Sequence, residues 1–217
     1  MLPAKDEKGE QCMEKEILFG SFDTFFIAQM GYSMCGTTQE QEKIRREAYH
    51  TFLQKIQGER PASFPTIRRW FGIHSVVVPA REQIFHIAFC LGLDVETVDH
   101  YLMAGIRQPS FQINDYTEMI AMYGLENKWD WEKYQQAVEE YEKGLDEDIE
   151  ILHEPNTQWL FHQFEYVKAL DEEQFMYWMW DHSGIFKGYS KTAQEYLTKY
   201  RELVLAGMRN EAETNLR

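Results

Sequence analysis

The sequence predicts an all-α fold of about nine helices. Apolar residues recur at helical spacing: Ile84, Ile87, Ala88 and Leu91 share one helix face, and Trp131, Tyr134, Val138 and Tyr141 step by three and four. Alternation with period two is scarce. The one β-branched run, Val76-Val77-Val78, is too short to carry a sheet and leads directly into Pro79. Start and stop residues then divide the chain into helices of ordinary length.

Taken in order, the first helix is expected over 14–33, ending near Gly36, and the second over 38–57, ending at Gly58. A short helix is expected over 65–71, with Pro65 in its first turn and Gly72 as its stop. The next spans 80–91 and closes at Gly92, and Asp94 caps a helix over 95–103. Asn114 is expected to cap 115–126, and Asp130 to cap 131–143, which ends at Gly144. Helices over 158–169, 172–181 (with Asp171 and Gln174 at capping-box spacing) and 191–209 complete the pattern. A change of character near 105–113 suggests two parts, 1–104 and 105–217. The second is acidic and holds Trp129, Trp131, Trp159, Trp178 and Trp180, five of the six tryptophans.

The 217 residues, 44% apolar and 27% charged, have a globular composition and suffice for a core without covalent staples. No stretch approaches the ~20 apolar residues that span a bilayer, so no membrane partner is expected. The mixed charge of the first residues is not that of a secretory signal. Three cysteines, Cys12, Cys35 and Cys90, form no close pair. The expected location is the cytoplasm, with reduced thiols.

The net charge of −14 is unevenly spread. Residues 41–93 form a basic island. They carry Lys43, Arg45, Arg46, Lys55, Arg60, Arg68, Arg69 and Arg81 against Glu42, Glu47, Glu59 and Glu82. A uniformly acidic protein repels nucleic acid, whereas a basic island on an acidic body retains a surface for phosphate.

Within this island lie Thr66-Ile-Arg-Arg-Trp-Phe-Gly72, then Pro79, then Ile87-Ala88, Leu91-Gly92 and the helix after Asp94. The segment resembles the second half of the Cro/CI-type (XRE-like) helix-turn-helix of bacterial regulators, over residues 41–102. Thr66, Ile67, Arg69, Trp70, Gly72, Pro79, Ile87, Ala88, Leu91 and Gly92 carry the resemblance. The family's separate preceding helix is replaced here by the loop-like 58–64 with Pro61. The resemblance implies a helix-turn-helix-like amino-terminal part packed with a carboxy-terminal helical bundle. Ile67, Trp70 and Phe71, at i, i+3 and i+4, would dock the recognition helix on its own domain. Thr66, Arg68 and Arg69 would then face the major groove, and Lys43, Arg45, Arg46 and Arg60 would hold phosphates. The implied function is a DNA-binding transcriptional regulator whose partner is double-stranded DNA. It would act as a homodimer, and the acidic body would dimerise or receive a protein partner. The alternative is a helical protein–protein interaction module with a helix-turn-helix remnant that does not bind DNA.

No other motif competes. The seven histidines include no His-Glu-x-x-His, and no Cys-x-x-Cys accompanies them. The spacing of His162 and Glu165 is weak for a metal, and the acidic run 146–150 lacks the glycine of a calcium loop. Glycine-rich phosphate loops and a Gly-x-Ser-x-Gly elbow are missing. His86 reads as a satisfied or partly exposed histidine, and Cys90 as a small buried group. The aromatic run Phe175–Trp180 reads as core. No catalytic residue, no metal and no cofactor are expected.

Overall fold

The computed structural model describes residues 21–145 and 157–186. Among these it holds nine α-helices and no strand: α1 (Phe22–Gln29), α2 (Thr38–Lys55), α3 (Phe64–Trp70), α4 (Arg81–Leu91), α5 (Val95–His100), α6 (Tyr116–Glu126), α7 (Trp131–Lys143), α8 (Thr157–Val167) and α9 (Glu172–Asp181). A π-helical turn, Tyr101–Gly105, continues α5, and Ser183–Ile185 form a short 3-10 turn. The all-α expectation holds. The expected helix over 191–209, the acidic run 146–150 and the start of the helix over 14–33 lie outside the described residues.

Local chemistry sets the boundaries. Thr37 and Glu40 form a capping box at the start of α2: Glu40 N–H donates to Thr37 Oγ1, and Thr37 N–H to Glu40 Oε2 at 2.7 Å. Asp94, Asp130 and Asp171 cap α5, α7 and α9, accepting from the backbone of Thr97, Lys133 and Gln174 at 2.7, 2.7 and 2.9 Å. Two expectations shift. Asp115, not Asn114, accepts the Thr117 N–H at the start of α6 (2.9 Å). The first described helix ends at Gln29, short of the expected 33, because Gly31, at φ 88°, turns the chain. Tyr32 N–H then closes back on Ile27 O at 3.2 Å.

The described residues divide into two compact units. The first takes those up to Gln112 together with Met119–Val138; the second takes Ile113–Glu118 and those from Glu139 onward. Phe26 of α1 is the hub of the first core. Its ring lies 4.7 Å from Phe71, 5.2 Å from Phe22 and Phe52, and 6.0 Å from Tyr101. Burying one such ring stabilises by roughly 1.5–3 kcal/mol, so this cluster dominates the packing around α3. Ile84, Ile87 and Ala88 of α4 are fully buried, as their spacing predicts. In the second unit Tyr141, Leu160, Phe164, Val167, Phe175, Met176 and Met179 are buried. The indole N–H of Trp180 donates to Tyr141 O at 3.2 Å. The aromatic run 175–180 is thus largely core, with Tyr177 exposed.

Candidate nucleic-acid interface

The short helix α3 is held at both ends. Ser63 Oγ accepts the Thr66 N–H, Pro65 sits in the first turn, and Arg68 and Arg69 lie in the last turn, where cations favour the helix dipole. At the carboxy end Gly72 N–H donates to Arg69 O (3.1 Å) and Ile73 N–H to Arg68 O (3.0 Å), a double closure that places Gly72 at φ 69°.

The helix has two chemically opposite sides. Ile67, Trp70 and Phe71 are completely buried, as their spacing predicts. Arg68 and Arg69 are exposed, and Thr66 is half-buried beside them. The Arg69 Nε–H reaches Pro65 O at 3.3 Å and Nη2 reaches Thr66 Oγ1 at 3.4 Å, so the side chain lies along its own helix. The Arg68 guanidinium stands 5.7 Å over the ring of Tyr49 on α2. The flanking segment is tied to the same helix, with Val77 N–H donating to Arg69 O at 3.2 Å.

The expected phosphate contacts fall into two groups. Lys43 and Arg46 are exposed on α2, Lys43 within 3.7 Å of Glu47. Arg60 is exposed with its guanidinium 4.7 Å over the Phe64 ring. Arg45 is placed otherwise. Its Nη1 pairs with the carboxylate of Asp23, which is 1% exposed, and donates to Phe71 O at 2.8 Å. Ser21 Oγ donates to the same carboxylate. Arg45 therefore joins α1, α2 and the end of α3, and its guanidinium is committed to the fold. Gly72 makes room for it: a Cβ there would stand 1.8 Å from Arg45 Nη1 and 2.6 Å from Asp23 Oδ2. One cost remains in this core, because the buried Trp70 Nε1 has no hydrogen-bond partner.

A second grouping lies in the same unit: Glu59, His86 and Cys90 each bring one ligand-type atom within 4.8 Å of the others. The Cys90 thiol is pushed up to about 12 by burial and by the Glu59 charge. Burial lowers His86, against the opposing pull of Glu59. Sequence reasoning read His86 and Cys90 one at a time. Their i, i+4 spacing was visible, but nothing in the sequence brings Glu59 to them.

Comparison with models of protein families, with characterised proteins and with solved structures finds no match to this chain.

Proposed function

We propose that the chain is a DNA-binding regulator of helix-turn-helix type, in which α3 lies against the duplex. The observation that carries this reading is the division of α3: Ile67, Trp70 and Phe71 fully buried, Arg68 and Arg69 in solvent. Such a helix is fixed to its own domain by one side and presents cations from the other. Arg68, Arg69 and Thr66 would meet the groove, while Lys43, Arg46 and Arg60 would meet phosphates. Arg45 acts indirectly, by holding α3 in place. The protein is read as a binding protein and not an enzyme, acting in the cytoplasm as a homodimer on paired half-sites, with the acidic part open to a protein partner. No described helix is long and apolar enough to cross a membrane.

The test is fluorescence anisotropy with mixed-sequence duplex DNA at ~50 and ~200 mM salt, beside the double variant Arg68→Ala/Arg69→Ala. Micromolar binding that weakens steeply with salt is expected, with a log–log slope reduced by about 2 in the variant. Equal binding by parent and variant, or none at the lower salt, would remove this reading.

A second reading, the interaction module, is favoured by exposed apolar residues at the start of α3 and in the segment after it: Phe64 (43% exposed), Val76 (47%) and Val78 (53%). The uncharged Val76→Ser/Val78→Ser separates the two. The substitutions leave DNA binding intact under the first reading and abolish partner capture under the second.

A further inference from the structure

We propose that Glu59, His86 and Cys90 form a three-ligand site for a divalent transition-metal ion of borderline softness, with Zn2+ the ion that fits, and a fourth position open to the cleft beside them. The proposal is independent of DNA binding.

Position comes first. His86 and Cys90 are one turn apart on α4, so both project from one side of the helix, while Ile84, Ile87 and Ala88 take its core side. Glu59 arrives from the loop after α2. The chain reverses there through Gln57 (φ 49°) and Gly58 (φ 96°), and Glu59 N–H is pinned to Ile56 O at 3.0 Å. The His86 ring stacks flat on Trp131, 4.1 Å between centroids and 8° between planes, which fixes the plane of the ring.

The donor set comes next. One imidazole nitrogen, one thiol sulfur and one carboxylate oxygen form a mixed set that Zn2+ accepts in tetrahedral geometry. Bonds of ~2.0–2.3 Å to a common ion place ligand atoms roughly 3.3–3.8 Å apart. The three atoms already lie within 4.8 Å, and Glu59, with 42% of its side chain exposed, is free to close the remainder.

The cluster is also electrically incomplete. His86 Nε2 is buried and makes no hydrogen bond, although Glu59 Oε1 is 3.4 Å away. The Glu59 carboxylate thus faces this nitrogen without hydrogen-bond geometry, and an ion between the two would satisfy both. A divalent ion with one thiolate and one carboxylate is a neutral site, so the ion supplies the charge the group lacks. On binding, the Cys90 S–H bond breaks, the S–metal bond forms, and the proton leaves to solvent. Glu59 and Cys90 also line a cleft of about 460 Å3, shared with Lys55, Phe89, Trp129 and Asp130. The fourth position therefore has room for water or a small anionic ligand.

The experiment titrates the purified full chain with Co2+ and Zn2+. Co2+ should bind one to one and give a thiolate-to-cobalt charge-transfer band in the near ultraviolet, which Zn2+ abolishes by displacement. Cys90→Ser should remove the band. His86→Gln and Glu59→Gln should weaken Zn2+ binding by more than the ~10–100-fold that outer-sphere partners are worth. Glu59 is exposed, so its variant tests the site without endangering the fold. Cys12→Ser and Cys35→Ser should behave as the parent. The proposal is overturned by absence of the band in excess Co2+, by its survival in Cys90→Ser, by its loss in Cys12→Ser or Cys35→Ser, or by unchanged Zn2+ affinity in Glu59→Gln.

Discussion

Two glycines, Gly72 in the basic region and Gly144 in the acidic one, make room for very different neighbours. At Gly72 the space is taken by the Arg45 guanidinium and the Asp23 carboxylate. At Gly144 it is taken by the indole of Trp180, whose atoms would lie 2.5–2.9 Å from an added Cβ and whose N–H donates to Tyr141 O. The first closure is ionic and buried, the second aromatic and half-buried. A buried ion pair loses both its attraction and its compensation when one partner leaves, whereas an aromatic contact yields by degrees.

The sharpest way to break the comparison is Arg45→Ala. It leaves Asp23 buried without a counter-ion and should cost about 3–5 kcal/mol in chemical denaturation. A loss below ~1 kcal/mol would mean that the pair does not hold α1, α2 and α3 together. Gly72→Ala should follow at roughly 2–3 kcal/mol, since a left-handed backbone and a displaced guanidinium act together. Gly144→Ala should cost about 1–3 kcal/mol and shift tryptophan emission, and an unchanged spectrum would show that Trp180 does not meet the new methyl.

Asp94→Ala sharpens the comparison on the acid side, at about 1 kcal/mol at neutral pH. Hydrogen bonds from Thr97, side chain then backbone, hold the Asp94 carboxyl below its ordinary value, and those from the Thr37 backbone and hydroxyl do the same for Glu40. A depressed folded value means that the contribution is complete above the ordinary carboxylate range. It drains away as pH falls through that range to the lower folded values. Thermal melts from neutral to acid pH should therefore fall less steeply in Asp94→Ala than in the parent. The smallest effect belongs to Lys143→Ala. Its pair with Glu139 is exposed at both ends (76% and 68%), and a double-mutant cycle should return at most ~0.5 kcal/mol.

Much of the fold was legible because the punctuation is local. Asp94, Asp130 and Asp171 cap where their spacing predicted, and Gly72 and Gly92 stop α3 and α4. Asp115 displaced Asn114 because neighbouring Asx residues offer nearly the same cap. The roles of adjacent cations were harder to read. Arg45 and Arg46 look alike as an Arg-Arg pair, yet Arg45 precedes Ala48, Tyr49 and Phe52 by three, four and seven residues, which puts it on the buried side of α2. That signal was available and points inward; what it could not supply was Asp23, brought in by α1. Glu59 meets His86 and Cys90 for a similar reason, through a loop reversal that helical periodicity does not record.

The π-helical turn after α5 converts length into angle. Ile106 N–H bonds five residues back to Tyr101 O at 3.0 Å, one residue beyond the ordinary helical step. Each residue of an α-helix rotates the chain by about 100°. The extra residue therefore resets the phase with which Gly105 and Ile106 leave the helix. Gly105 comes to rest where a Cβ would stand 2.9 Å from the Phe25 ring, and Ile106 is buried beside it in sequence. Removing a single residue from this turn would shift by about 100° the phase with which Gly105 and Ile106 leave the helix, and would take both from their places beside Phe25 and in the core.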